Sequence, residues 1–381
     1  MADRLYRFFT SLRLTVTLLA LGLVLVFWGT LAQVQLGLYK AQNDFFRSFF
    51  IYWSPAQSSL RIPIFPGGYL IGWLLLINLF AAHFRYYQPG KKKYGIIMIH
   101  LGVVLLLFGQ LLTDVFSTES VMHLRNGEMK NYSEGSRRYE LAVVDTTDPQ
   151  TDKVVAIPES CLLRAGEISD PALPFTIRVP AFYGNSSLIE SQAVGHTQIQ
   201  TTAGFGSGFW WRNLPRETDM DKRDMPSGLI EVVAPQASLG TYLVSAFLAQ
   251  PQQLTYNGHT YELRLRLERF YKPFTVHLLE FKHDKYPGTD IPKNFSSRVR
   301  LQRPATGEDR EVLIYMNNPL RYAGETYYQA SFDPDDHGTV LQVVHNPSWL
   351  TPYFSCVLVG IGLMTQFSSH LIDFAGKRKA S

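Results

Sequence analysis

The chain alternates between two kinds of hydrophobic pattern. Four stretches are almost wholly apolar for about 20 residues each, and short runs that alternate between apolar and polar residues recur through the long segment before the last of them. Residues 14–33, LTVTLLALGLVLVFWGTLAQ, carry no charge. At 1.5 Å per residue such a helix crosses roughly 30 Å of hydrocarbon. Residues 66–87, 94–115 and 350–374 are the other three candidate spans. The first is too long for a usual signal-peptide core and has no clear A-x-A site after it, so it reads as a retained anchor. QPGKKK, residues 88–93, supplies Pro89 and Gly90 for a tight turn, which makes the second and third spans an antiparallel hairpin. Pro352 stands at the start of the fourth span, where its missing N–H costs nothing, with Trp349 and Tyr353 at belt positions.

Basic residues orient these spans. Arg4, Arg7 and Arg13 precede the first, Lys91, Lys92 and Lys93 lie between the second and third, and Lys377, Arg378 and Lys379 follow the fourth. Four crossings put all three clusters on one side, and the positive-inside rule makes that side the cytoplasm. The expected topology has residues 1–13 and 375–381 as cytoplasmic termini of a multi-pass bacterial inner-membrane protein. The loop 34–65 and a large domain, 116–349, face outward.

The outer segment has a β pattern. YELAVVD, PFTIRVPAFY, YELRLRLERF, REVLIYM, ETYYQASF and TVLQVVHN alternate and are separated by turn-forming pieces such as YNGH, ATGED and DPDDHG. The fold class expected is therefore an α-helical membrane protein of four spans with a large, mainly-β, sandwich-like extracytoplasmic domain, in which two lobes are one arrangement. Residues 186–228 are glycine-rich and read as a loop or lobe junction.

Composition narrows the chemistry. A net charge of +4 and the absence of any nucleic-acid motif give no case for DNA or RNA. The aromatic content, 13%, suits membrane interfaces and strands. Cys161 and Cys356 are far apart, and no C-x-x-C is present, so the chain offers neither a redox dithiol nor a covalent haem site. Hydrolase, P-loop and zincin motifs are absent. His277 and His283 near Glu280 have the residue types of a metal site but read as solvent-facing strand histidines. Phe209, Trp210 and Trp211 read as a core or interface aromatic cluster, with a haem or lipid contact as the sharper alternative.

Three of the ten histidines, His83, His100 and His370, fall inside spans. Ionisable groups in hydrocarbon are costly, which makes each a functional candidate. All three lie roughly 8–10 Å from the cytoplasmic edge by helical rise. His83 and His100 occupy the two arms of one hairpin and are placed to face a common pocket. A neutral imidazole there suits haem-iron ligation or a proton relay; the bland reading is a histidine bonded across helices or reaching the interface.

Several segments resemble the ResB proteins of cytochrome c biogenesis. They are SLRLTVTLLALGLVLVFWGTLAQ, GGYLIGWLLLINLFAAHF, KKKYGIIMIHLGVVLLLFGQLLT, NNPLRYAGETYYQASF and NPSWLTPYFSCVLVGIGLM. The resemblance covers both ends and the topology, and is weak over about 145–310. It implies a subunit that works with a ResC-type (CcsA-type) polytopic partner in system II. The pair moves haem b, bound non-covalently, across the membrane and presents it for attachment to apocytochrome c. His83, within NLFAAHF, is then the first candidate iron ligand and His100 the second. The chain has no tryptophan-rich WWD loop, so the expectation is the non-catalytic or shared-site half of a haem–cytochrome c synthetase. A purely structural subunit, or a tethered sensor or envelope-assembly factor with a β ectodomain, are the alternatives.

Overall fold

The computed structural model describes residues 2–55, 60–86, 94–219, 222–289 and 292–380. The basic turn expected at 88–93 lies outside the described residues. The chain divides into two units, residues 1–118, 218–220 and 345–381, and residues 119–217 and 221–344.

The first unit is helical. A short α1 (Ala2–Phe9) precedes α2 (Leu12–Leu36), and the Ser11 hydroxyl caps α2 by accepting from the Arg13 N–H. Gly37, at φ +78°, ends α2 because that backbone conformation suits no side chain. Next come α3 (Leu38–Ala41), a π turn (Gln42–Phe46) and an antiparallel hairpin of β1 (Phe50–Trp53) and β2 (Ile62–Pro66). The described residues of the loop 34–65 are thus folded. Then follow α4 (Gly68–Tyr86), α5 (Tyr94–Phe116) and, after the second unit, α7 (Thr351–Ala380). Helices α2, α4, α5 and α7 are each long and apolar enough to cross a membrane.

Small residues set how these helices meet. Gly95, Gly102 and Gly109 recur every seven residues on the side of α5 that meets α7. A Cβ at Gly95 would come within 2.7 Å of Gln366 N and Gly362 O, and one at Gly102 within 2.5 Å of Val359 Cγ2. The two backbones are therefore in near-direct contact along an antiparallel pair, as small-residue seams allow in lipid. On the other side α4 packs against both α2 and α5. Asn78, only 2% exposed, joins α4 to the α1–α2 turn. Its amide accepts from Thr15 Oγ1 at 2.6 Å and donates to the Phe9 carbonyl at 2.7 Å.

The second unit is mainly β, with two cores. In the first, one layer contains β4 (Met129–Asp145), β5 (Lys153–Pro158), β13 (Gln252–Tyr256) and the start of β14 (His259–Lys285). A short helix α6 (Glu159–Leu162) follows β5. The facing layer has β6 (Gly166–Ile168), β7 (Thr176–Tyr183), β11 (Ser227–Val233) and β12 (Ser238–Ser245), in the order β12-β11-β7-β6. Leu141, Val143, Ile177, Ile230, Val232 and Leu263 fill the space between them. This is the sandwich that the alternating pattern implies.

The second core lies within one long sheet. It adds β3 (Thr118–Arg125), β15 (Pro292–Arg303), β16 (Glu308–Tyr315), β17 (Leu320–Tyr322), β18 (Glu325–Phe332) and β19 (Gly338–His345), and its order is β16-β15-β14-β4-β3-β19-β18-β17. The strand at one end, β16, packs against β17 and β18 at the other, so the sheet curls into a barrel-like lobe. Inside it lie Leu124, Val276, Leu278, Leu301, Tyr327 and Leu341. Strand β14 serves both lobes. Its pairing with β4 slips between Leu267 and Arg269 and again between Tyr271 and Val276. Such bulges bend a strand and reset which face is buried.

The expectation of a loop at 186–228 is corrected. Strands β8 (Ser186–Ile189), β9 (Thr197–Gln198) and β10 (Trp210–Asn213) form a small sheet in the order β8-β10-β9. Trp211 is 5% exposed and lies 4.5 Å from the Tyr183 ring, so it is core, with Phe209 packed against its cluster and Trp210 half-buried. Strands of two to four residues between glycines carry too little alternation to register as a pattern.

Candidate functional site

Helices α2, α4 and α5 enclose an apolar groove of about 530 Å³. Helix α4 forms its floor through Asn78, Ala82 and His83. Leu12, Thr15 and Leu19 of α2 form one wall, and Ile96, His100 and Val103 of α5 the other. The volume is in the range of small-molecule and cofactor sites, roughly 300–1,000 Å³. Two of the polar groups on its surface, Thr15 and Asn78, are bonded to each other.

The imidazoles are the remaining chemistry of the groove. The His83 and His100 rings have centroids 6.3 Å apart and planes at 82°. They meet because α4 and α5 are antiparallel, with His83 in the last turn of α4 and His100 in the second turn of α5. His100 lies on the opposite side of α5 from the glycine seam, so it faces the groove and not α7. At the other end of the same helix pair, Asp114 accepts from the Tyr69 hydroxyl at 2.5 Å and pairs with Arg47 at 3.3 Å. That tie fixes the relative position of α4 and α5 far from the histidines. It was not among the sequence expectations, although a lone aspartate near the end of an apolar run was a legible signal.

His370 is not brought to the pair. It is exposed on α7, where Gln366 Nε2 lies 2.7 Å from its Nε2, and it does not line the groove. Equal depth along the helices did not imply a shared face.

The histidines of the β unit also separate. His283 is not solvent-facing, because its side chain is 7% exposed and lies 4.7 Å from both the Phe295 and Phe332 rings. Its Nδ1 lies 2.9 Å from Asp336. His277 is half-buried, and Glu280 pairs with Lys282 and Arg298. Among the described residues, no group of three or more His, Cys, Asp or Glu side chains is arranged to hold a metal ion.

Comparison with known proteins adds a family. Residues 257–338 match a ResB-like family, which covers β14 through β18 and the turn after it. Protein NrfI of Wolinella succinogenes is 24% identical over 296 residues, 77% of this chain and 29% of that protein. The chain thus spans less than a third of the length of that relative.

Proposed function

Taking the chain as a ResB-type protein, the resemblance that the family match bears out, we propose that it acts in cytochrome c biogenesis by receiving haem in the α2–α4–α5 groove and passing it outward with a ResC-type partner. The observation that carries this reading is the facing pair His83 and His100 in a groove whose other polar groups, Thr15 and Asn78, are bonded to each other. Haem is the substrate here. Its macrocycle needs an apolar slot, and its iron takes a neutral imidazole nitrogen as an axial ligand.

The residues divide that work. His83 is the first ligand, and its place in the last turn of α4 holds the iron near one membrane face. His100 supplies the second imidazole. Two metal–nitrogen bonds of about 2 Å plus the two ring radii come close to the separation of the rings, so the pair can clasp one metal after a small adjustment. Leu19, Ile96 and Val103 exclude water from the ring edge. Arg7, Arg13 and Arg85 lie at the same end of the helices and favour the propionates there. By the positive-inside rule this end is cytoplasmic, so haem enters from that side and the segment between α5 and α7 faces outward toward apocytochrome c.

The test is an absorption spectrum of the protein purified with its polytopic partner, for wild type, His83→Ala and His100→Ala. The expected result is a haem Soret band that His83→Ala weakens several-fold and added imidazole restores, with a smaller loss for His100→Ala. An unchanged band in both variants would assign the haem to the partner and leave this chain a scaffold.

A further inference from the structure

The segment between α2 and α4 is pinned on one side and exposes large apolar residues elsewhere. On the pinned side, Phe45 and Ile51 are 4% and 5% exposed and share a buried cluster with Leu25 and Ile71. Trp28 meets Phe45 and Phe65 edge-on, with centroids 5.4 and 5.9 Å apart. The Phe46 ring lies over Gly29, where a Cβ would come within 2.7 Å of it. These contacts dock the π turn and the β1–β2 hairpin against the last turns of α2.

Elsewhere the segment exposes large apolar residues, with the Phe49 ring beside that of Tyr69. Phe49 is 53% exposed, Tyr52 51%, Trp53 54% and Ile64 47%. A two-stranded hairpin is marginal in water, and a cluster of exposed large apolar residues marks a contact with a membrane or a protein.

Three observations favour lipid. The exposed cluster adjoins an end of α2 that is itself exposed on the side turned away from the hairpin, at Phe27, Leu31 and Val34 (67%, 56% and 83%). Its residues are mostly aromatic, and tryptophan and tyrosine favour the boundary between headgroups and acyl chains. The described residues 49–55 and 60–66 hold one charge, Arg61, near the far end of the hairpin. An arginine there reaches phosphate while its stem stays in the apolar layer.

We propose that the β1–β2 hairpin is an interfacial anchor, seated at the headgroup–acyl boundary of the leaflet opposite the histidine groove. It holds the outer end of α2 and the start of α4 at a fixed depth. The inference rests on the membrane-spanning helices and is independent of haem.

Nitroxide labels report this depth in the full chain, reconstituted alone in nanodiscs of mixed zwitterionic and anionic lipid. In a Cys161→Ser, Cys356→Ser background, labels go on Trp53→Cys and Ile64→Cys. Leu23→Cys, 75% exposed on α2, is the acyl control, and Val194→Cys, 98% exposed in the β unit, is the water control. Collision rates with oxygen and with a water-soluble nickel chelate are then compared. The expected result places positions 53 and 64 between the controls, with nickel collisions several-fold below those at 194. Rates equal to those at 194 would overturn the proposal, as would low rates with both reagents, which mean cover by protein. Fluorescence quenching by brominated lipids, taken as wild type minus Trp53→Phe, gives a second reading without a label. Quenching strongest for shallow bromines supports the anchor, and no difference between the two proteins refutes it.

Discussion

His83 and His100 were legible in the sequence because hydrocarbon penalises an ionisable group, so a histidine inside an apolar run stands out. Which histidines share a face was not legible in the same way. Depth follows from counting residues, whereas facing depends on which side of α5 the glycines give to α7. His370 lies on α7, across that seam. Asn78 escaped notice for the opposite reason, since a single amide in a long apolar run looks like noise until its partners on Phe9 and Thr15 appear. At the same scale, Tyr327 carries a pH prediction. It is fully buried, its hydroxyl donates to Glu325 Oε2 at 2.7 Å, and Lys272 pairs with that carboxylate. Burial first, and then the Glu325 charge, hold the phenol far above its ordinary value. A folded value raised in this way leaves stability intact below the unfolded value of about 10. Above it, stability falls by about 1.4 kcal/mol per pH unit. Tyr327→Phe is expected to cost about 1 kcal/mol at neutral pH through the lost hydrogen bond. It should also make the alkaline decline shallower by one proton's share. Urea unfolding of the β unit in the full chain between pH 8 and 11.5 measures both. Tyr139, Tyr242 and Tyr261, also raised by burial, keep the decline from vanishing.

At the scale of elements, hydropathy pointed to four long apolar helices, but their ends followed from backbone chemistry. Helix α2 runs past the uncharged block to Leu36 because nothing before Gly37 stops it. The hairpin and the strands of 186–228 were not legible, because four-residue strands and a folded-back loop leave no period to detect. The glycine spacing of α5 was readable and predicts how substitutions sort. At Gly95 a Cβ would strike backbone atoms of Gln366 and Gly362, which have no rotamer to yield. Gly95→Ala should therefore destabilise the α5–α7 pair by about 1–3 kcal/mol, the usual cost of overpacking. At Gly360, on α7, a Cβ would meet no atom within 4 Å. Gly360→Ala should be neutral, or stabilising by up to about 1 kcal/mol through helix propensity. Thermal midpoints of the full chain in one detergent separate the two; equal shifts would mean that the seam does not set the packing.

The β unit has two cores but not two independent lobes. Strands β4 and β14 are 17 and 27 residues long; β14 supplies side chains to both cores, and β4, whose side chains fill the first, also pairs with β3 of the barrel-like lobe. Alternation in the sequence revealed the strands, and it implied a sandwich. It did not reveal that one strand changes partners midway, because the bulges near Leu267 and Tyr271 break the period that would have signalled continuity. Shared strands have an energetic consequence. Unfolding the second lobe removes pairing that β14 also needs in the first, so the two should open together. Leu278, fully buried in the second core, tests this. Leu278→Ala should cost about 2–5 kcal/mol, and each 1.4 kcal/mol multiplies the open population tenfold. Strand β11 lies in the first lobe and is paired on both sides, by β7 and β12, so its amides exchange through large openings. If the lobes are one cooperative unit, hydrogen exchange in 229–233 should accelerate as much as in β15, by at least about thirtyfold at the lower bound of that cost. Acceleration confined to β15 would show that the bulges in β14 uncouple the lobes, and that the β unit can loosen the barrel-like end while the sandwich stays closed.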